Sequence, residues 1–274
     1  MKISYRSFFA IVFFAILVMS WGALFRGSAI AQQASPLFAT LESARNKGVP
    51  EDILDYVLSC SIENSFDADD TIAVIRILIR VKDTGFPLAP FQDKIREGVS
   101  KHIAPERIGK GLADLLADYR FAWNLLRKNF SPPKGKSDPA VQSLVESLDA
   151  GLGHKALQRF CESAPRTVPS AMLAVAVRNK AYLNQLGFNA ALSDEILSTG
   201  LANRSLTAGW TYFYRLVAVS KRKGISDEVI ARIAVNALRE KEDLRQVMKS
   251  LGFILRNVKE GPQRNLPDRT VDQN

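Results

Sequence analysis

Four glycines set the frame within which this chain has to fold. Gly48, Gly85, Gly187 and Gly224 each close a helix-like stretch, and each is followed by an apolar residue (Val49, Phe86, Phe188, Ile225). A glycine in this setting ends a helix in the left-handed conformation, and the next apolar residue folds back onto the last turn. Gly48 to Gly85 is 37 residues, Gly187 to Gly224 is again 37, and Gly151 to Gly187 is 36. That is the period of a helix–turn–helix repeat.

The segments between the glycines carry helical periodicity. Ile53, Leu54, Val57 and Leu58 form one apolar stripe; Val229, Ile230, Ile233, Ala234, Ala237 and Leu238 form another; Leu244, Val247, Met248, Leu251, Ile254, Leu255 and Val258 form a third. Spacings of three and four place such residues on one helix face. No Asn-Gly or Asp-Gly hairpin turn occurs. The most strand-like run, Thr71–Val81, has Arg76 and Arg80 four residues apart and suits a largely buried helix better, with Asp67–Asp70 as its cap and first turn.

A short phrase marks helix starts. Pro50-Glu51-Asp52-Ile53-Leu54, Ser193-Asp194-Glu195-Ile196-Leu197 and Ser226-Asp227-Glu228-Val229-Ile230 are three copies, and Pro105-Glu106-Arg107-Ile108 is a looser fourth. Serine caps free N–H groups, proline suits the first turn, and acids there oppose the positive end of the helix dipole. The expected fold is all-α: degenerate helix–turn–helix repeats with a period of 36–37 residues, stacked as a right-handed α-solenoid or curved helical array. About a dozen helices are expected, from Pro36–Asn46 to Glu242–Val258. The pattern resembles α-solenoids of the tetratricopeptide or HEAT type in architecture only, since the diagnostic Trp, Gly and Tyr positions of the former are missing.

Three further segments bound the organisation. Residues 1–31 read as a signal peptide: Lys2 and Arg6 precede an uncharged, mostly apolar run from Phe8 to Phe25, and Ala29 and Ala31 fit a cleavage site before Gln32. The alternative is an uncleaved anchor over residues 8–25, with Arg26 at its end. Residues 32–258 form the helical-repeat domain, interrupted near 129–139 by a Pro- and Gly-rich polar loop, and residues 259–274 read as a disordered tail. Removing the signal takes away Lys2, Arg6 and Arg26 and no acid, which lowers the net charge from +9 to +6. The expected location is the periplasm or beyond, which makes chromosomal nucleic acid an unsuitable ligand for the mild basic excess.

The search for chemistry is largely a set of exclusions. The only histidines, His102 and His154, lack neighbours at metal-ligand spacing and read as surface or helix-end residues. No Gly-x-Ser-x-Gly elbow, phosphate loop or calcium loop is present, and no metal or cofactor is expected. Cys60 and Cys161 lie in apolar, helix-like surroundings and read as two inert or unpaired thiols; export permits a disulfide between them as the alternative. Two aromatic groups interleave with bases: Trp210, Tyr212 and Tyr214 ahead of Lys221 and Arg222 on one helix, and Trp123 with Arg120 in the first half. If they line one face they form a groove for a peptide, glycan or headgroup; otherwise they are core.

The leading expectation is an exported, non-catalytic binding or scaffold protein of the bacterial cell envelope. Its partner is another envelope protein or peptide, with an anionic wall or lipid component as a further candidate. Membrane contact follows only if residues 8–25 are retained. Two alternatives stand beside it: an envelope enzyme acting on glycan through paired carboxylates, for which Glu146, Asp149 and Glu162 are nominal candidates, and an accessory subunit anchored in the inner membrane by residues 8–25. A pocket of converging acids of raised pKa would favour the enzyme, and a groove of aromatics and Arg/Lys without such acids would favour binding.

Overall fold

Helix ends in this chain are fixed by local hydrogen bonds that the sequence writes in small polar residues and glycines. Asp67 Oδ1 accepts from the Asp70 N–H at 2.8 Å, Asp138 Oδ1 from Ala140 at 2.8 Å, and Asp243 Oδ1 from Arg245 at 2.9 Å. Each satisfies a donor that the first helical turn leaves without a partner. At the other end, Gly85 takes φ 75°, its N–H reaches the Lys82 carbonyl, and the Phe86 N–H reaches the Val81 carbonyl. Phe86 is buried as a result, and Gly187 with Phe188 repeats the arrangement.

The computed structural model describes residues 36–63, 66–130 and 135–253. Among these the chain is all-α, with no strand. The helices are α1 (Pro36–Asn46), α2 (Glu51–Glu63), α3 (Ala68–Thr84), α4 (Ala89–Ser100), α5 (Pro105–Asn129), α6 (Pro139–Asp149), α7 (His154–Ser163), α8 (Ser170–Gln185), α9 (Ala190–Ala202), α10 (Phe213–Arg222), α11 (Asp227–Arg239) and α12 (Leu244–Ser250). A short 3₁₀ turn, Ala208–Tyr212, precedes α10. No helix among the described residues is long and apolar enough to cross a membrane. The signal or anchor segment and the tail lie outside the described residues.

Helices pack on those one or two further along the chain, most strongly on the second. The strongest contacts join α6 to α8, α9 to α11, α1 to α3, α3 to α5 and α5 to α6. Ile72, Val74, Ile75, Ile77, Leu78 and Val81 are all buried, so α3 is covered on more than one side, as its Ile- and Val-rich sequence requires.

Several boundaries differ from the sequence expectation. Ser193 does not start a helix. Asn189 Oδ1 accepts from Ala191 at 3.0 Å and Leu192 at 3.2 Å, so α9 begins at Ala190 and Ser193 is buried inside it. The last described helix ends at Ser250, because Gly252 takes φ 75° and the Phe253 N–H turns back to the Met248 carbonyl. Trp210 and Tyr214 are not on one helix, since the chain passes from the 3₁₀ turn into α10 between them.

The structure also adds turns that no glycine announces. His102 (φ 52°), Arg204 (φ 54°) and Lys241 (φ 59°) are left-handed, and each lies seventeen residues after a left-handed glycine: Gly85, Gly187 and Gly224. Thirteen residues after those glycines stand Gly98, Gly200 and Ala237. Their carbonyls accept from Ile103, Ser205 and Glu242 just beyond the left-handed residue. A Cβ on Gly98 would lie 2.7 Å from Ile108 Cγ1, so only a minimal side chain lets the turn close there.

Candidate functional site

The aromatic groups singled out in the sequence do not form one groove. Trp210 is fully buried, 5.5 Å from the Phe213 ring, and its indole N–H donates to the Glu242 carbonyl at 3.4 Å; it is a core residue, not a surface one. Asn179 explains the sharp turn beside it: Nδ2 donates to the Trp210 carbonyl at 2.9 Å, and Oδ1 accepts from the Tyr214 N–H at 3.0 Å. Tyr214 stacks on Tyr182 at 4.4 Å, Tyr212 is half exposed, and the Arg215 guanidinium lies 4.7 Å from the Tyr212 ring centroid.

Lys221 is engaged within the fold. It donates to Asp227 at 3.0 Å and to the Gly187 carbonyl at 3.1 Å, while Arg222 stays exposed. Trp123 is half-buried on α5 under Arg127 and Lys136, and Arg120 is exposed. Helices α5 and α10 do not pack substantially on one another, so the two groups are separate. Cys60 and Cys161 are both buried and free; burial pushes the Cys161 thiol up to about 12.

The site that stands out lies elsewhere, where three helix faces converge. From α4 come Ala89, Pro90, Asp93, Lys94 and Glu97; from α5 come Gly111, Asp114, Leu115, Asp118 and Tyr119; from α6 come Gln142, Val145, Glu146 and Asp149. On each helix these positions recur at three- and four-residue steps, which is one face. They enclose an open cleft of about 780 Å³, with Pro87 at its edge. Lys94 is the single base among six lining carboxylates.

Most of those carboxylates already have partners. Lys94 contacts Glu97 at 3.2 Å and Asp149 at 3.8 Å, Lys101 also holds Glu97, Arg96 contacts Asp93 at 3.8 Å, and Arg178 bonds Glu146. Asp118 lies 2.8 Å from His154 Nε2. Asp114 has no ion-pair partner among the described residues. Burial pushes the Asp118 carboxyl above the usual carboxylate range; the His154 hydrogen bond pulls it down, and the Asp114 and Asp149 charges push it up again.

Tyr119 sits at the floor. Its ring lies between Phe86 at 5.3 Å and Phe91 at 5.6 Å, and the residue is 2% exposed. Burial, with the Glu146 charge adding to it, pushes its hydroxyl up to about 12, so it stays protonated. Among the described residues no three His, Cys, Asp or Glu side chains form a metal-holding group. Each helix face taken alone looks like an ordinary solvated polar stripe in the sequence, and only the packing of α4, α5 and α6 brings the faces together. Compared with known proteins, the chain matches no family model, no curated protein and no solved structure.

Proposed function

We propose that this chain is an exported, non-catalytic binding scaffold of the cell envelope, and that the α4–α5–α6 cleft receives a segment of a partner protein. The observation that carries this reading is the convergence of three helix faces on one open cleft whose side walls are polar and whose floor is apolar. Binding clefts of helical arrays are built this way, from the repeated faces of neighbouring units.

The architectural part of the reading is a right-handed stack of helix–turn–helix units. Its support is the shared register of Gly85, Gly187 and Gly224 with Gly98, Gly200 and Ala237, and with His102, Arg204 and Lys241, together with packing that runs from each helix to those one or two further along. Export rests on residues 1–31 alone, and N-terminal sequencing of the processed protein tests it: Gln32 as the first residue supports a cleaved signal, and retention of residues 8–25 supports the anchored subunit.

Affinity capture from cell envelopes, with the wild type beside Gly111→Trp, tests the cleft. Gly111 lines it and a Cβ there meets nothing within 4 Å, so an indole fills the cleft without disturbing α5. The partner retained by the wild type should be lost from the variant. A second reading, cleavage of wall glycan, is favoured by one observation, the raised Asp118 carboxyl among other acids. It requires release of reducing ends from wall polymer by the wild type and not by Asp118→Asn.

A further inference from the structure

We propose that the cleft recognises a lysine or arginine side chain of an extended partner peptide, with the Tyr119 hydroxyl, Asp114 and Asp118 as its recognition set. This rests on the cleft being the binding site and adds what the bound segment must carry.

The starting point is Tyr119. Its ring is held by Phe86 and Phe91, a packing role that phenylalanine would fill equally well. Its hydroxyl has no hydrogen-bond partner among the described residues, although the side chain is 98% removed from solvent and the residue lines the cleft. The hydroxyl is not sealed off within the fold but opens on the cleft, where a donor or acceptor of an entrant can bond it.

The surrounding groups define that entrant. Ionised carboxylates only accept hydrogen bonds, so the unpaired Asp114, with Asp118 beside it, selects a ligand rich in donors and repels an anion. A lysine ammonium brings three donors and an arginine guanidinium five, with no acceptor to clash. Lys94 is already held by Glu97 and Asp149, so it does not neutralise the α5 wall. Asp114 and Asp118 stand four residues apart on that wall, one turn of helix, with Asp114 unpaired. The apolar floor, Leu115 and Val145 beside Pro87, suits the methylene stem of a basic side chain whose charged head reaches the wall.

The test is fluorescence anisotropy of a labelled Leu-Lys-Leu-Lys-Leu-Lys peptide on the purified protein, with Leu-Glu and Leu-Ser repeats as comparison peptides. The lysine peptide should bind and the other two should not. Tyr119→Phe should weaken binding about threefold or more while leaving the melting temperature at or above wild type. Asp114→Asn with Asp118→Asn should weaken it about tenfold or more, whereas Asp55→Asn with Glu240→Gln, which removes the same charge from exposed positions outside the cleft, should stay within about twofold.

Loss of binding in Gly111→Trp with no effect of Tyr119→Phe or of the Asp114/Asp118 pair would overturn the cationic ligand and leave the cleft as a site. Unchanged lysine-peptide binding in Gly111→Trp would overturn both. Binding of a chitooligosaccharide instead of the lysine peptide would overturn this inference in favour of a glycan.

Discussion

Asp118 of α5 and His154, the first residue of α7, are paired at 2.8 Å beside the cleft, with the His154 ring edge-on to Phe121 at 4.7 Å. The pair ties two helices that are joined in sequence only through α6. It also leaves a carboxyl that burial holds above its usual range. Folding therefore takes up a proton at Asp118 in the window between the ordinary aspartate value and the raised one. The Asp118 contribution to stability is greatest below that window and falls as pH rises through it. Glu51 and Glu97, lowered by their hydrogen bonds to Arg45 and to Lys101 and Lys94, act in the opposite sense, so the comparison must be made between variants. Chemical denaturation across the acid range should show wild type losing stability relative to Asp118→Asn as pH rises through the window. Parallel curves would contradict this.

The three left-handed turns without glycine are a second point of leverage. A non-glycine residue in this region costs about 1–2 kcal/mol, which glycine recovers in part because it loses more freedom on folding. Arg204→Gly and Lys241→Gly should each stabilise the chain by about 1 kcal/mol, and Gly187→Ala should destabilise it by a similar amount. Thermal or urea melts check all three.

Asn179 is the only buried polar side chain that bridges the 3₁₀ turn to α10 from another helix among the described residues. Asn179→Leu strands the Tyr214 N–H and removes one of the two bonds to the Trp210 carbonyl, which keeps the Phe213 N–H. A cost of about 1–3 kcal/mol follows from one partnerless backbone group. Near-ultraviolet circular dichroism should also change, because Trp210 sits on the affected turn.

Gly98 tests the close approach of α4 and α5, and Gly200 that of α9 and the connection that follows it. A Cβ on Gly200 would overlap Leu206, which is itself buried. Overpacking of this kind costs about 1–3 kcal/mol, more than the helix propensity that alanine gains. Gly200→Ala should lower the melting temperature and Gly200→Ala with Leu206→Ala should not recover it fully, since the pair removes buried leucine.

Much of the fold was legible because its stop signals are chemical. Gly48, Gly85, Gly187 and Gly224 announce left-handed caps, and Asp67 and Ser226 announce helix starts; all take those roles. The turns at His102, Arg204 and Lys241 were hidden because nothing in a basic residue signals a positive φ. Ser193-Asp194-Glu195 misled because Asn189 offered a cap four residues earlier and the helix propagated through the phrase. The aromatic run at Trp210 drew attention through composition, yet half of it is core. The cleft stayed invisible because Asp114 and Asp118, Asp93 and Glu97, and Glu146 and Asp149 each lie on a different helix, and no periodicity reports which faces meet.

The central claim, that the α4–α5–α6 cleft is where this protein binds its partner, is tested most directly by hydrogen–deuterium exchange of the protein with and without the captured envelope partner. The account predicts slowed exchange over residues 87–97, 111–119 and 142–149, with the Tyr212–Arg215 segment unchanged. Protection confined to Tyr212–Arg215, with the three cleft segments exchanging as in the free protein, would contradict it.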